Sequence, residues 1–252
     1  MCATEVSEWY EGWFDEDYLA LYAHRDVKEA QDFVDMIWSR LKLRPGMLVA
    51  DVPCGAGRHS LAFAQKGARV AGVDLSIVML ARAAELAKGQ SALPLYVRGD
   101  LRHTPLTPNF DVAASIFSSL GYFESETDNH AAFSELARIV APGGTLILDV
   151  INPDYLRAHF IAGAMHKTRV GDVTEKRELD PEHKRVVKQI EIRHGQETRT
   201  IRESVRIYER PELEKMAEEN KLRPIEFWGD YDGTTFAPRS PRLIMLARKL
   251  SK

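Results

Sequence analysis

Short apolar segments alternate with amphipathic segments from Leu48 to Val150. Continuous apolar runs suit a sheet that is covered on both faces, and the amphipathic segments between them suit crossover helices. The alternation therefore predicts an α/β fold with one doubly wound, mostly parallel sheet. Its predicted strands begin near Leu48, Ala68, Pro94, Phe110 and Thr145, and its predicted helices span 58–66, 77–87 and 126–140.

The end of the chain continues this pattern with one change. A short amphipathic helix is predicted over 211–220, with a proline in its first turn, and a sixth strand over 223–229. A seventh apolar strand, 243–248, follows it through a loop without a crossover helix. Because strands joined without a crossover helix are antiparallel, we expect a seven-stranded sheet with a reversed last strand.

Residues 153–210 show a different pattern. Three segments, 174–179, 185–193 and 198–207, partly alternate between apolar and polar residues, and turn-forming clusters separate them. This pattern predicts a small antiparallel sheet inserted as a cap beside the main sheet. Basic residues outnumber acidic ones from His166 onward in this segment. The cap is expected either to shape a binding pocket or to serve as a structural insert.

Candidate chemistry lies where the first two strands end. Asp51 ends the first strand, a turn with Gly55 and Gly57 opens a helix, and Asp74 ends the second strand. Glycines let a ligand approach the backbone and permit the tight reversal, and a helix start presents free N–H groups. A carboxylate at the end of the second strand is placed to accept hydrogen bonds from a ribose. The spacing predicts a nucleoside cofactor.

Two residues argue against a dinucleotide. Ser60 stands where a dinucleotide-binding turn has its third glycine, and the Asp51 carboxylate would face the phosphates. A carboxylate there suits a cofactor with an ammonium group and a sulfonium, namely S-adenosylmethionine. An NAD-dependent oxidoreductase and a non-catalytic module that binds S-adenosylmethionine remain the alternatives.

The segment Asp51-Val52-Pro53-Cys54-Gly55-Ala56-Gly57-Arg58-His59-Ser60 resembles the first motif of class I S-adenosylmethionine-dependent methyltransferases. It looks like the version found in one bacterial subgroup that acts on small molecules, with Pro53 in place of the motif's first glycine. The reversed seventh strand and the Pro142-Gly143-Gly144 turn are typical of the same family. The resemblance implies a Rossmann-like methyltransferase fold, with Asp100 bound to the adenine amino group and Leu101 stacked on the ring.

On this basis we expect the chain, 1–252, to form a single methyltransferase domain with S-adenosyl-L-methionine as cofactor and S-adenosyl-L-homocysteine as product. The cap would span 153–210, and residues 1–40 would form a helical lid. The residues expected to contact the cofactor are Tyr22, Asp51, Pro53, Gly55, Gly57, His59, Asp74, Leu75, Met79, Asp100, Leu101, Ile116 and Phe117.

The end of the fourth strand is expected to face the methyl acceptor. Ser119, Tyr122 and Phe123 are candidates for binding it, together with Asn152 after the fifth strand. The Asn152-Pro153-Asp154-Tyr155 segment lacks the second proline of the nucleic-acid-methylating motif and follows a different strand, so that interpretation is rejected. Tyr122 and His24 are the candidate catalytic residues, and His59 and Asp149 are further possible proton acceptors.

Six aromatic residues precede His24 in the N-terminal segment. Aromatic faces attract cations, so rings around a sulfonium would stabilise it by about 0.5 to 2 kcal/mol. The competing interpretation is that the rings pack a helix onto the sheet. The six are Trp9, Tyr10, Trp13, Phe14, Tyr18 and Tyr22.

Composition narrows the class of protein. The net charge of −3 gives no electrostatic footprint for nucleic acid, which favours a small-molecule acceptor, and the mildly basic cap leaves an RNA or protein substrate as an alternative. No apolar run is long enough to cross a membrane, and the chain has no secretory signal pattern and two cysteines, so we expect a cytoplasmic protein without disulfides. No spacing resembles a metal site. A monomer or a homodimer is expected.

Overall fold

The computed structural model describes residues 8–23, 26–180 and 184–251. None of the helices in these ranges is long and apolar enough to span a membrane. The helices are α1 (Glu16–Leu21), α2 (Val27–Arg40), α3 (Arg58–Gln65), α4 (Ile77–Ala87), α5 (Glu126–Ile139), α6 (Pro153–Ala158) and α7 (Arg210–Glu219). The strands are β1 (Leu48–Asp51), β2 (Arg69–Asp74), β3 (Leu95–Arg98), β4 (Phe110–Ser115), β5 (Val140–Ile151), β6 (Gly163–Thr168), β7 (Gly171–Asp180), β8 (Arg185–His194), β9 (Glu197–Arg206), β10 (Leu222–Trp228) and β11 (Arg242–Lys249).

Seven strands form one sheet in the order β10-β11-β5-β4-β1-β2-β3. The strands β1 to β5 pair in parallel, whereas β11 runs antiparallel to both β5 and β10. The described loop between β10 and β11 contains no helix, so the chain returns in the opposite direction. The predicted doubly wound sheet with a reversed last strand is confirmed.

Helices cover both faces of this sheet. On one face, Phe133 and Leu136 of α5 and Leu213 of α7 are buried against the strands. On the other face, Phe33 of α2 and Phe63 of α3 are buried in a second cluster. Because both faces are covered, the central strands can be apolar along their whole length.

The first residues of α4 show how the sequence fixes a helix near the strand ends. Ser76 is the residue before the helix, and its hydroxyl oxygen accepts a hydrogen bond from the backbone N–H of Met79 at 3.2 Å. This cap satisfies one of the donors that a helix start leaves unpaired. It also fixes α4 directly after Asp74, so that Met79 is buried beside the strand end.

The fifth strand begins earlier than predicted, at Val140 instead of Thr145. Val140 pairs with Phe110, and the register then shifts before Val112 pairs with Thr145. Gly143 lies in the displaced segment and has a φ of +77°. The predicted Pro-Gly-Gly turn is therefore an irregularity within the strand.

The inserted segment forms a second, antiparallel sheet in the order β6-β7-β8-β9. Sequence reasoning predicted three of these strands and missed β6. Most of β6 is exposed, including Met165, which is 83% exposed. An edge strand without a buried face has no alternation of apolar and polar residues to reveal it. The small antiparallel cap sheet is confirmed, with one more strand than expected.

A substitution at Gly57 tests how closely α3 and α4 pack at the strand ends. A Cβ at this position would lie 2.4 Å from the Tyr96 hydroxyl and 2.7 Å from the Ala83 Cβ, and its φ is +76°. We expect Gly57→Ala to lower the free energy of unfolding by about 2 kcal/mol or more, because strain and overpacking add. Urea unfolding followed by circular dichroism measures this loss.

The matched control for this prediction is Gly46→Ala. Gly46 has a φ of +88°, but no described atom lies within 4 Å of its added Cβ. The control should therefore lose about 1 kcal/mol from backbone strain alone. Equal losses in the two variants would contradict the packing explanation.

Candidate cofactor and acceptor crevice

A crevice of about 720 Å³ opens where β1, β2 and β4 end. The segments that follow these strands, 52–56, 73–76 and 116–117, form its walls, and parts of the N-terminal segment cover it. In open α/β sheets, ligands bind at the carboxyl ends of the strands. The volume lies within the range of sites for cofactors and small molecules.

The backbone of Gly55 forms part of the wall and is open to a ligand. Its φ is +52°, and no described atom lies within 4 Å of the position that a Cβ would take. Because the residue also lines the crevice, a side chain here would occupy ligand space. The turn therefore fits a nucleoside ligand laid against its backbone.

Asp74 lies in the same wall and connects the ends of the first two strands. One carboxylate oxygen accepts a hydrogen bond from the backbone N–H of Gly55 at 2.8 Å, and the other from that of Ser76 at 2.9 Å. Burial raises the pKa of this carboxyl. A carboxylate has about four acceptor positions, so the two backbone bonds leave capacity for a ligand hydroxyl.

Asp100 also lines the crevice, next to Gly99, whose backbone N–H donates to the Asp74 carbonyl oxygen at 3.0 Å. Its two oxygens accept hydrogen bonds from the Arg102 guanidinium, the shortest at 2.7 Å. Burial works to raise the pKa of Asp100, but the Arg102 hydrogen bonds outweigh it and the pKa is lowered. The carboxylate is therefore ionised at neutral pH and held in place by Arg102.

The other predicted cofactor residues in the crevice wall are mostly apolar. His59 is an exception, but it is 6% exposed, and burial, helped by the Arg58 charge, lowers its pKa to about 3. The imidazole is thus neutral and a weak base at neutral pH. Besides Asp74, Asp100 and Gly55, the following residues predicted to contact the cofactor line the crevice: Tyr22, Pro53, His59, Leu75, Met79, Leu101, Ile116 and Phe117.

Three residues predicted to contact a ligand lie behind the wall instead. Asp51 is 1% exposed and accepts a hydrogen bond from the Ser60 hydroxyl at 2.6 Å. This bond explains why serine occupies the position of the third glycine. Gly57 packs against α4 and Tyr96 and leaves no room for a Cβ. Glycine is therefore required at this position by helix packing and not by a ligand.

Asn152 is the third of these residues. Its amide nitrogen donates to the carbonyl oxygens of Pro238 and Ser240, and its amide oxygen accepts from the backbone N–H of Asp154 at the start of α6. The residue is 1% exposed. Its side chain therefore joins the end of β5 to the loop before β11 and does not line the acceptor side of the crevice.

Ser119, Tyr122 and Phe123, the candidates for binding the acceptor, all line the crevice. The Trp9 indole donates to the Tyr122 carbonyl oxygen at 3.1 Å, and its ring packs edge-on against the Tyr122 ring. The predicted catalytic role of Tyr122 stays a prediction. The other candidate, His24, lies outside the described residues.

The cap sheet holds the same segment from the other side. Arg185 of β8 is 5% exposed and donates to the carbonyl oxygens of Gly121 at 3.2 Å and Phe123 at 3.0 Å. The backbone N–H of Arg206 donates to the Gly121 carbonyl oxygen at 2.8 Å. The carbonyl groups on both sides of Tyr122 are therefore fixed by the cap, and its own by the N-terminal segment.

The N-terminal aromatic residues pack mainly against the cap sheet. Trp13 is 1% exposed in a cluster with Val173, Ile190 and Ile192, and its indole donates to Glu203 at 2.6 Å. Trp13 therefore packs against the cap sheet and not, as the competing interpretation predicted, against the main sheet. Four of the six aromatic residues also line the crevice: Tyr10, Phe14, Tyr18 and Tyr22.

Part of the chain is similar to a known enzyme domain. Residues 49–144 match the family model of a methyltransferase domain. The match spans the strands and turns that build the cofactor side of the crevice, from β1 to the irregular start of β5. It supports the resemblance drawn from the sequence.

Two curated relatives are methyltransferases of bacteria. A dTDP-3-amino-3,4,6-trideoxy-α-D-glucopyranose N,N-dimethyltransferase of Streptomyces venezuelae is 29% identical over 161 residues, covering 58% of this chain and 65% of that protein. The putative methyltransferase YqeM of Bacillus subtilis is 33% identical over 115 residues, covering 45% of this chain and 46% of that protein. The chain thus spans less than two thirds of the length of these relatives.

Two solved structures share the fold over most of both chains. An S-adenosylmethionine-dependent methyltransferase from Clostridium acetobutylicum has a TM-score of 0.77 at 18% identity, covering 92% of this chain and 96% of that one. The S-adenosylmethionine-bound amino pentose methyltransferase CalS10 from Micromonospora echinaspora has a TM-score of 0.66 at 22% identity, covering 93% and 97%. The predicted Rossmann-like methyltransferase fold is confirmed.

Three basic residues in the wall of this methyltransferase-like crevice, Arg58, Arg82 and Arg169, were not predicted to contact a ligand. Arg82 follows Met79 by three positions on α4, so helix periodicity could have identified it. Arg169 lies between β6 and β7 and lines the crevice from the cap. No signal marked Arg169, because the strand before it was not predicted.

Burial of Asp51 gives a testable dependence of stability on pH. Desolvation raises its pKa from the ordinary 3.8 to about 7, against the opposing Ser60 hydrogen bond. Between these values the folded chain binds a proton that the unfolded chain has released, so the Asp51 contribution to stability falls as pH rises. The slope approaches about 1.4 kcal/mol per pH unit.

We expect the free energy of unfolding of the wild type, minus that of Asp51→Asn, to decrease from about pH 4 to about pH 7, which is the interval between the two pKa values. Above about pH 7 this difference should level off. Asparagine keeps an oxygen for the Ser60 hydroxyl but does not titrate. Urea unfolding at several pH values measures the difference. A constant difference across this range would show that the carboxyl titrates normally.

Proposed function

We propose that this chain is an S-adenosylmethionine-dependent methyltransferase that acts on a small-molecule acceptor. The observation that carries the proposal is the wall formed by the bare backbone of Gly55 and the adjoining Asp74 carboxylate. This wall lies at the strand ends of a fold shared with methyltransferases. The family match over residues 49–144 supports the same activity.

The residues of the crevice would divide between two tasks. Asp74 would accept hydrogen bonds from the ribose, Asp100 from the adenine amino group, and Leu101 and Met79 would pack against the nucleoside. Ser119, Tyr122 and Phe123 would contact the acceptor. His59 is excluded as a general base at neutral pH, because its pKa is lowered to about 3 by burial.

S-adenosylmethionine supplies a methyl group that the sulfonium has already activated. The chain therefore chiefly needs to hold an acceptor atom in line with that methyl group, and such positioning can supply about 7 to 11 kcal/mol of the barrier. The fixed carbonyl groups around Tyr122 and the aromatic cover over the crevice suit this task. The transfer itself is a direct in-line displacement that leaves S-adenosylhomocysteine.

The relatives support amino sugars as the first class of acceptor to test. The Streptomyces venezuelae relative is named for N,N-dimethylation of a nucleotide-linked amino sugar, and the CalS10 structure is an amino pentose methyltransferase. Amino sugars should therefore come first in a panel of acceptors, followed by amino acids and small acids. Release of S-adenosylhomocysteine with any of them would exclude a non-catalytic binding module.

Further parts of the proposal concern the organisation of the protein. The Pro53-Cys54 version of the turn supports membership of the bacterial small-molecule subgroup.

The four aromatic residues in the crevice wall support an N-terminal lid over 1–40. The Arg185 contacts support a cap over 153–210 that shapes the acceptor site. A cytoplasmic location fits the buried free thiol of Cys54. The assembly is a monomer or a homodimer.

The decisive variant for the cofactor is Asp74→Asn. We expect it to weaken S-adenosylhomocysteine binding at least about tenfold, because a charged hydrogen-bond acceptor is lost. Isothermal titration calorimetry measures the dissociation constant, and NAD⁺ should give no heat. Heat with NAD⁺ and none with S-adenosylhomocysteine in the wild type would instead identify an oxidoreductase.

Asp111→Asn is the matched control. Asp111 accepts a hydrogen bond from the backbone N–H of Leu48 at 2.8 Å, so it makes the same kind of contact at the amino ends of β1 and β4, away from the crevice. This variant should bind S-adenosylhomocysteine like the wild type. Equal weakening in both variants would mean that the effect reports general damage to the sheet.

A further inference from the structure

The turn after β4 has an unusual backbone. Phe117 and Ser118 both adopt the left-handed conformation, with φ of +68° and +62°. Neither residue is glycine, and two consecutive residues in this region are unfavourable unless the surroundings fix them. The residues on either side of Ser118, Phe117 and Ser119, line the crevice. The strained pair therefore determines how the chain enters the wall.

The contacts that fix this pair converge on Asp149 of β5, which is 0% exposed. Its carboxylate accepts a hydrogen bond from the backbone N–H of Phe117 at 2.8 Å, and its carbonyl oxygen accepts one from that of Ser118 at 3.0 Å. The backbone donors of both strained residues are thus satisfied by a single residue of the neighbouring strand.

Two further side chains fix the Asp149 carboxylate in turn. Arg242, at the start of β11, donates through Nε at 2.8 Å to one carboxylate oxygen, and the Tyr231 hydroxyl donates at 2.9 Å to the other. The Arg242 guanidinium also donates to the Ser118 hydroxyl at 2.6 Å. Burial works to lower the pKa of Arg242, but the Asp149 charge outweighs it and the pKa is raised. The Arg242 guanidinium is therefore charged at neutral pH.

The same group also holds the Phe117 side chain. The Phe117 ring lies 5.5 Å from the Tyr231 ring and 5.6 Å from the His59 ring, measured between centroids. His59 lines the crevice as well. Both the backbone and the ring of Phe117 are thus fixed relative to the cofactor side of the crevice.

We propose that Asp149, held by Arg242 and Tyr231, is a positioning residue that keeps the Phe117-Ser118 turn in its left-handed conformation and so forms the crevice wall for ligand binding. Asp149 does not line the crevice and acts through Phe117. The role of a proton acceptor, considered from the sequence, does not suit a carboxylate with both oxygens engaged in this way. The proposal rests on the proposed function in its choice of ligand.

The test uses the full chain and two measurements. Hydrogen–deuterium exchange across 116–119 reports the turn without any ligand, and calorimetry with S-adenosylhomocysteine reports the wall. Asp149→Asn should raise exchange at the Phe117 and Ser118 amides and weaken S-adenosylhomocysteine binding about tenfold or more. Adding Ser118→Gly should restore part of the affinity, because glycine adopts positive φ without strain.

Glu212→Gln is the matched control. Glu212 also accepts a backbone N–H, that of Glu209, and pairs with a buried arginine, Arg206, but it does not line the crevice. It should lower the melting temperature without changing exchange at 116–119 or the dissociation constant. If Asp149→Asn does not fold, Tyr231→Phe removes one hydrogen bond and should give a smaller change in the same direction.

The outcomes separate the two proposals. Unchanged exchange at 116–119 in Asp149→Asn, or faster exchange with unchanged affinity, would overturn the positioning role. A wild type that binds no S-adenosylhomocysteine would overturn the proposed function, and the exchange measurement would still decide whether Asp149 holds the turn.

Discussion

Backbone donors at the ends of parallel strands must be satisfied where the sheet no longer supplies a partner, and buried aspartates meet this requirement here. Asp74 accepts from the turn after β1, and Asp149 from the turn after β4. Each carboxylate belongs to one strand and fixes the loop of another. The two carboxylates thus hold three of the loops that form the crevice wall at the carboxyl ends of the parallel strands.

The same requirement explains which residues face a ligand and which do not. Asp51 and Asp74 end adjacent strands, yet Asp51 turns toward the Ser60 hydroxyl and Asp74 toward the loop amides. The first is thereby buried behind the turn, and the second forms part of the wall. Position at a strand end is therefore not sufficient to place a side chain in a site, since the nearest donor decides its direction.

The sequence predicted the sheet and most of the cofactor side because those features depend on local signals. Apolar runs define the strands, Ser76 marks the start of α4, and glycine at 55 marks an open turn. The roles of Gly57 and Asn152 were not readable, because they depend on partners far along the chain. The strained pair at 117–118 and the Asp149–Arg242 contact were missed for the same reason, since 93 positions separate the two partners.

The segment that we propose contacts the acceptor, Ser119 to Phe123, lies inside the family match, but side chains that hold its carbonyl groups lie outside it. Trp9 of the N-terminal segment and Arg185 of the cap fix the carbonyl groups around Tyr122, whereas the match covers residues 49–144. Changes in the N-terminal segment or the cap can therefore alter the contacts around Tyr122 without changing any residue of the family match. Because loops and insertions tolerate such change better than the sheet that carries them, one cofactor crevice can serve many acceptors.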